Sequence, residues 1–139
     1  MKFRYLDHTA DACFEAFGKD LNEAFSNAVP AMFGLMYDTS KIKEDESRWI
    51  QVKGIDEKAL LSHFLDQLLF LFDTEFFWPA RVKSLAIKKL KPGCGLTAEI
   101  LGDVNIGQYE SSGGIKAVTY NRMEIKKGKP CSVTVVVDL

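Results

Sequence analysis

The sequence predicts an α+β fold, a single two-layer domain in which a mixed or antiparallel β-sheet packs against two amphipathic helices. Two long segments repeat apolar residues at intervals of three and four, as helices do. Several shorter segments, bounded by Gly and Pro signals, have the length and composition of strands. The 139 residues are enough for one domain with a substantial core, so we expect one domain over residues 1–139.

The first strand and first helix are predicted close together near the N-terminus. Residues 12–17 (ACFEAF) predict a strand that Gly18 ends. Asp20 and Glu23 then have the spacing of a capping box, with aspartate as the N-cap. The helix is expected to end near residues 38–40. Its apolar face comprises Leu21, Ala24, Phe25, Ala28, Met32, Phe33 and Met36.

A second strand–helix pair follows after a charged connection. Residues 49–53 predict a strand that Gly54 ends, and Asp56 is the predicted N-cap of a helix that ends near residues 73–75. Its strongly apolar face indicates packing against a sheet. That face comprises Leu61, Phe64, Leu65, Leu68, Leu69 and Phe72.

The remainder of the chain is predicted to be mostly β. Strands are expected over residues 81–90, 96–101, 115–125 and 131–137. Turns that contain Pro and Gly, at 91–95 and 126–130, connect the first strand to the second and the third to the fourth. The polar segment 103–114 is expected to be a loop. Trp49 and Trp78 are expected to pack in the core or at a sheet edge rather than to stack on bases.

Composition limits the classes of function. The chain has 18 basic and 19 acidic residues and a net charge of -1, which argues against strong, independent binding of nucleic acid. No apolar run approaches the roughly 20 residues that span a bilayer, so no membrane contact is expected. The first residues lack the apolar stretch of a signal peptide, which points to the cytoplasm.

The three cysteines are predicted to be buried thiols. Cys13, Cys94 and Cys131 are odd in number and widely spaced, without a C-x-x-C pair. A disulfide framework or a zinc site is therefore disfavoured. A catalytic cysteine is also disfavoured, because no base is marked for it.

An acidic cluster near the N-terminus is the strongest candidate for a metal site. Asp7, His8 and Asp11 precede the first long strand, and Asp138 follows the last strand. If these strands are antiparallel neighbours, Asp11 and Asp138 lie close together, and the Leu139 carboxylate joins them if the native chain ends there. Oxygen ligands favour Ca²⁺, Mg²⁺ or Mn²⁺ over zinc. Spacing alone also allows the aspartates to be turn caps and an exposed terminal acid.

Four short segments resemble the archease family. They are DHTAD at 7–11, FDTE at 72–75 after the Leu-rich helix, KAVTY at 116–120 and VVDL at 136–139. They occur in the family's order and span the whole chain. Two positions depart from the family's pattern, because Asn121 and Tyr109 stand where or near where the family often has histidine.

The resemblance implies an accessory protein of the RtcB-type RNA ligase, which seals tRNA halves in splicing. Archeases promote the GTP-dependent guanylylation and multiple turnover of that ligase and are not themselves ligases. The family's metal ligands match Asp11 and Asp138. The resemblance implies calcium as the bound metal, with magnesium or manganese as alternatives. Lys116 matches a functional lysine, while Asp7 and His8 are supporting candidates. Contact with tRNA is implied only through the ligase.

Two other functions remain open from the residues. One is a chaperone-like modulator of another RNA-processing enzyme, such as a tRNA methyltransferase, which the resemblance also allows. The other is a metal-dependent hydrolase, which would require a general base or a second carboxylate cluster facing the first. No such group is evident in the sequence, so we expect no turnover by the isolated protein.

Overall fold

The structure is a computed structural model that describes residues 1–7 and 11–139. Within these residues the chain forms seven strands and two α-helices, with a short 3₁₀ helix (Thr39–Lys41) after the first α-helix. In chain order the elements are β1 (Phe3–Leu6), β2 (Ala12–Gly18), α1 (Leu21–Phe33), β3 (Glu46–Gly54), α2 (Glu57–Thr74), β4 (Phe77–Lys89), β5 (Cys94–Val104), β6 (Ala117–Lys126) and β7 (Cys131–Asp138).

The strands divide into two antiparallel sheets, and the α+β class is confirmed. A four-stranded sheet has the order β1-β2-β7-β6, and a three-stranded sheet has the order β3-β5-β4. The sequence analysis expected these strands to share one sheet. They do not, because β5 uses both of its edges to pair with β3 and β4.

Both helices pack between the sheets and share one hydrophobic core with them. Helix α1 contacts β2 and β7 of the larger sheet and β4 of the smaller one, while α2 contacts β6 as well as β3 and β4. Fully buried aromatic rings come from both sheets and both helices, so burial of apolar surface holds the layers together. They are Phe14, Phe25, Phe33, Phe64 and Phe77.

Both predicted N-caps are confirmed. Asp20 accepts a hydrogen bond from the Glu23 amide at 2.9 Å, and Asp56 accepts one from the Ala59 amide at 2.8 Å. Each carboxylate thereby satisfies an amide that has no partner inside the helix.

Removing the cap of α2 is expected to destabilise the protein modestly. The substitution Asp56→Ala should lower the free energy of unfolding by about 1 kcal/mol, because the Ala59 amide loses its acceptor. Urea denaturation measures this change. Asp56→Asn is the matched control, since it keeps a side-chain oxygen and should unfold near the wild-type midpoint. Equal losses for both variants would contradict the capping role.

Helix α1 ends earlier than the apolar pattern predicted. Regular α-helix stops at Phe33, and two of the hydrogen bonds that follow span only three residues. They run from the Leu35 amide to the Met32 carbonyl and from the Met36 amide to the Phe33 carbonyl. Met36 nevertheless stays buried, at 1% exposure. The apolar spacing therefore continues through a tighter turn that is not α-helical.

Several strand assignments also differ from expectation. Strand β3 begins at Glu46 rather than at residue 49, and β5 spans Cys94–Val104 rather than 96–101. The sequence analysis did not identify β1, a four-residue edge strand in which only the two end residues are partly buried. Strand β4 begins at Phe77 rather than at residue 81, since Phe77 and Trp78 already pair with Val104 and Asp103. Across the described residues, neither α-helix combines the length and apolar character needed to cross a membrane.

Candidate metal-binding site at one end of the four-stranded sheet

Strands β2 and β7 bring Asp11 and Asp138 to the same end of the four-stranded sheet. The two strands are antiparallel neighbours in which Ala12 pairs with Val137. Continuing this register by one residue sets Asp11 opposite Asp138. Directly opposite residues on neighbouring strands have Cβ atoms roughly 5 Å apart, so the two positions suit shared binding of one ion.

Strand β6 flanks Asp138 on its other side. Ala117 pairs with Asp138, and the Lys116 amide donates to the Asp138 carbonyl at 2.8 Å. The Thr119 hydroxyl donates a long hydrogen bond of 3.5 Å to the Asp138 carboxylate. Asp138 and Lys116 are both exposed. The Asp138 carboxylate can therefore accept further ligands or hydrogen bonds. The backbone of Lys116 lies next to Asp138.

An arginine that the sequence analysis did not identify lies against Asp11. The Arg122 Nη1 atom is 3.5 Å from the Asp11 Oδ2 atom, and the Asp11 side chain is only 21% exposed. Arg122 lies where the register of β6 against β7 shifts, between Thr119 and Glu124. Such irregularities redirect side chains at sheet edges and sites. No local sequence signal marks this shift.

Two of the other predicted site residues, Asp7 and Leu139, lie next to strands of this sheet. Asp7 is exposed and directly follows β1, the other neighbour of β2. Leu139 is 56% exposed and directly follows Asp138. His8 lies outside the described residues. Its part in the predicted site stays a prediction.

The donor chemistry of the pair fits an oxygen-preferring divalent cation. The extended register of β2 and β7 sets two aspartates opposite each other, and hard cations prefer carboxylate ligands. Within residues 1–7 and 11–139, however, no group of three or more His, Cys, Asp and Glu side chains is placed to hold a metal. A cation would therefore bind to two side chains and recruit backbone, terminal or water oxygens for its remaining ligands.

The two departures from the family pattern have different surroundings. Tyr109 donates to the Asp103 carboxylate at 2.7 Å, accepts from the Lys43 amide at 3.0 Å, and stacks on Trp78. Asn121 is exposed and adjoins Arg122 in β6. Tyr109 therefore has a structural role in this chain, whereas Asn121 lies beside the candidate site.

The cysteines are buried, as predicted. All three are free thiols, and burial raises the pKa of Cys13 and of Cys94. A raised pKa lowers the thiolate fraction at neutral pH, which disfavours nucleophilic chemistry. Positive charge on Arg122 offsets part of this rise in the pKa of Cys13, which directly follows Ala12 in β2.

The fold and the candidate site define a small α+β protein with paired carboxylates where two antiparallel strands meet. Residues 3–139 match the model of the Archease protein family (MTH1598/TM1083). The chain belongs to the archease family.

Individual relatives agree along nearly the whole chain. Protein archease from Methanothermobacter thermautotrophicus is 41% identical over 123 residues, which cover 88% of this chain and 87% of that protein. Protein archease from Danio rerio is 33% identical over 142 residues, which cover 99% and 85%. The solution structure of Methanobacterium thermoautotrophicum protein 1598 matches with a TM-score of 0.84 and 38% identity, covering 99% of each chain.

Proposed function

We propose that this protein is an accessory activator of an RtcB-type RNA ligase in tRNA splicing or RNA repair. It promotes GTP-dependent guanylylation and repeated turnover of the ligase and has no catalytic activity of its own. Membership of the archease family supports this proposal. The observation that carries it is the placement of Asp11 and Asp138 at the shared end of β2 and β7, with the Lys116 amide bonded to the Asp138 carbonyl.

The proposed metal ligands are Asp11 and Asp138. The carboxylate of Leu139 joins them if the native chain ends there. Calcium is the expected ion, and magnesium and manganese share the same oxygen preference. When bound, the ion supplies positive charge that attracts phosphate or carboxylate oxygens. Asp7 and His8 are supporting candidates.

Lys116 is proposed to act together with this site. Its backbone is fixed by the bond to Asp138, while its side chain is exposed at the same sheet end. A flexible ammonium group there suits a nucleotide phosphate or an acidic surface of the ligase. The net charge of -1 is consistent with a protein that acts on an enzyme and reaches tRNA through that enzyme.

The direct test is ligase guanylylation with and without this protein. We expect the protein to raise the guanylylated fraction and to allow several ligation cycles per ligase molecule. The isolated protein should show no turnover of nucleotides or phosphoesters with divalent metal. An unchanged guanylylated fraction would reject the proposal, and stimulation of a different RNA-processing enzyme would replace it.

Arg122 is expected to compete with the metal ion for Asp11. The guanidinium lies 3.5 Å from the carboxylate, so a cation must displace it or share the ligand with it. The substitution Arg122→Gln should tighten calcium binding by about two- to fivefold, the range of a part-exposed ion pair. Isothermal titration calorimetry measures this change.

A second arginine provides the control. Arg81→Gln removes a guanidinium that is paired with Glu44 at 2.8 Å in the three-stranded sheet, and calcium affinity should not change. Weaker calcium binding by Arg122→Gln would show that the arginine supports the site instead of competing for it.

A further inference from the structure

Trp49 presents its indole ring on the open face of the three-stranded sheet. The sequence analysis expected both tryptophans to pack. Trp78 does so at 5% exposure, whereas Trp49 is 65% exposed. In the part of the chain that the structure describes, no ring or guanidinium stacks on Trp49. This exposure in the middle of a strand leaves a broad aromatic surface on which a ligand can stack.

The sheet register defines the surroundings of this ring. Residues directly opposite each other in antiparallel strands share a face. The row that contains Trp49 continues through Glu99 to Ser84, and the next row consists of Gln51, Thr97 and Ala86. Ser84, Ala86 and Thr97 have short side chains, so a planar group can lie over this part of the sheet beside the indole. Gln51 and Thr97 add hydrogen-bonding groups at its margin.

Lysines lie beyond this surface. Lys53 and Lys88 flank Gly95 in one row, four residues along β3 from Trp49 or about 13 Å. Both lysines are exposed, and among the described residues neither has a carboxylate within 4.0 Å. Nearer the ring, Lys83 lies 4.0 Å from Glu99 and offsets its negative charge.

We propose that this face binds single-stranded nucleic acid. One base stacks on Trp49, and the phosphate groups that follow it reach Lys53 and Lys88. Proteins that bind single strands without strong sequence preference combine aromatic platforms with lysines and arginines in this manner. Protein–protein interfaces instead tend to exclude lysine, which disfavours a protein as the occupant.

The inference goes beyond the proposed function, which requires no direct contact with RNA. The face belongs to the three-stranded sheet, whereas Asp11 and Asp138 lie on the four-stranded sheet. A single aromatic platform, two lysines and a net charge of -1 predict weak binding that salt weakens further. Such a contact would hold an RNA end near the ligase rather than capture RNA from solution.

Fluorescence anisotropy of a labelled oligouridine tests the proposal on the whole protein without ligase. The oligonucleotide should be about 10 nucleotides long, within the site size of single-strand binding domains, and the buffer low in salt. Trp49→Ala should weaken binding by about tenfold, while Trp49→Phe should keep most of it. The double variant Lys53→Gln/Lys88→Gln should reduce the slope of log affinity against log salt by about 1.4.

Tyr120→Ala is the matched control, because Tyr120 is an aromatic residue that is 43% exposed on β6, which belongs to the four-stranded sheet. It should bind the oligonucleotide as the wild type does. The proposal is overturned if the wild type does not bind at low salt, if Trp49→Ala binds equally well, or if duplex RNA binds as tightly. It is also overturned if Trp49→Ala impairs only ligase stimulation, since the face would then dock a protein.

Discussion

Replacing Asp138 with asparagine is expected to remove most of the calcium affinity and, with it, the stimulation of ligase guanylylation. Asp138→Asn keeps the shape of the side chain but removes one of the two carboxylates that the register brings to the shared end of β2 and β7. Loss of a partner that only orients a metal ligand costs about 10–100-fold in affinity, so loss of a ligand should cost at least as much. Calorimetric titration with calcium measures the first effect, and the guanylylation assay measures the second.

Folding should be unaffected, because Asp138 is exposed and, among the described residues, its side chain accepts only a long hydrogen bond of 3.5 Å from Thr119. Glu110→Gln is the matched control, since it neutralises an exposed carboxylate in the segment between β5 and β6. It should bind calcium and stimulate the ligase as the wild type does. Full activity of both Asp11→Asn and Asp138→Asn would refute the metal site while leaving family membership intact.

The largest loss of stability is expected from Phe64→Ala in helix α2. Phe64 is 0% exposed and belongs to the core that both sheets share. Deleting a buried ring costs about 3–5 kcal/mol, because apolar surface is lost and a cavity remains. For a protein of this size the midpoint of thermal unfolding should fall by roughly 10–20 °C. Differential scanning calorimetry measures this shift.

The same helix supplies the control for this prediction. Phe70→Ala removes the same side chain six residues later, at a position that is 55% exposed. Its unfolding midpoint should stay within a few degrees of the wild type, since surface changes of this kind are worth about 0.5 kcal/mol or less. Similar losses for both variants would mean that α2 does not pack as the structure shows.

The elements of the fold were largely predictable because their signals are local. Asp56 caps α2 where the sequence placed the cap, and the apolar spacing identified the buried face of that helix correctly. The division into two sheets was not predictable, because pairing between strands depends on residues far apart in the chain. The short edge strand β1 was not predicted, because an edge strand with few buried residues has only a weak alternation of apolar and polar side chains.

The candidate site shows the same division. Asp11 and Asp138 could be proposed as neighbours because they begin and end predicted strands, and the register of β2 and β7 now places them opposite each other. Arg122 could not be proposed, because a shift in the pairing of β6 carries it towards Asp11. A register shift arises from the fit between two strands and leaves no mark in either strand alone.

By itself the sequence determined the helices with their caps, the strands near their observed positions, and the motifs that identify the family. These follow from hydrogen bonding and side-chain periodicity over a few residues. Only the tertiary structure decided which sheet face stays open. Successive side chains of a strand point to opposite faces of the sheet. In β3, Trp49, Gln51 and Lys53 therefore share the exposed face, while Ile50 faces the core. Whether a helix covers a given face depends on packing between distant elements, and here the helices left the tryptophan exposed.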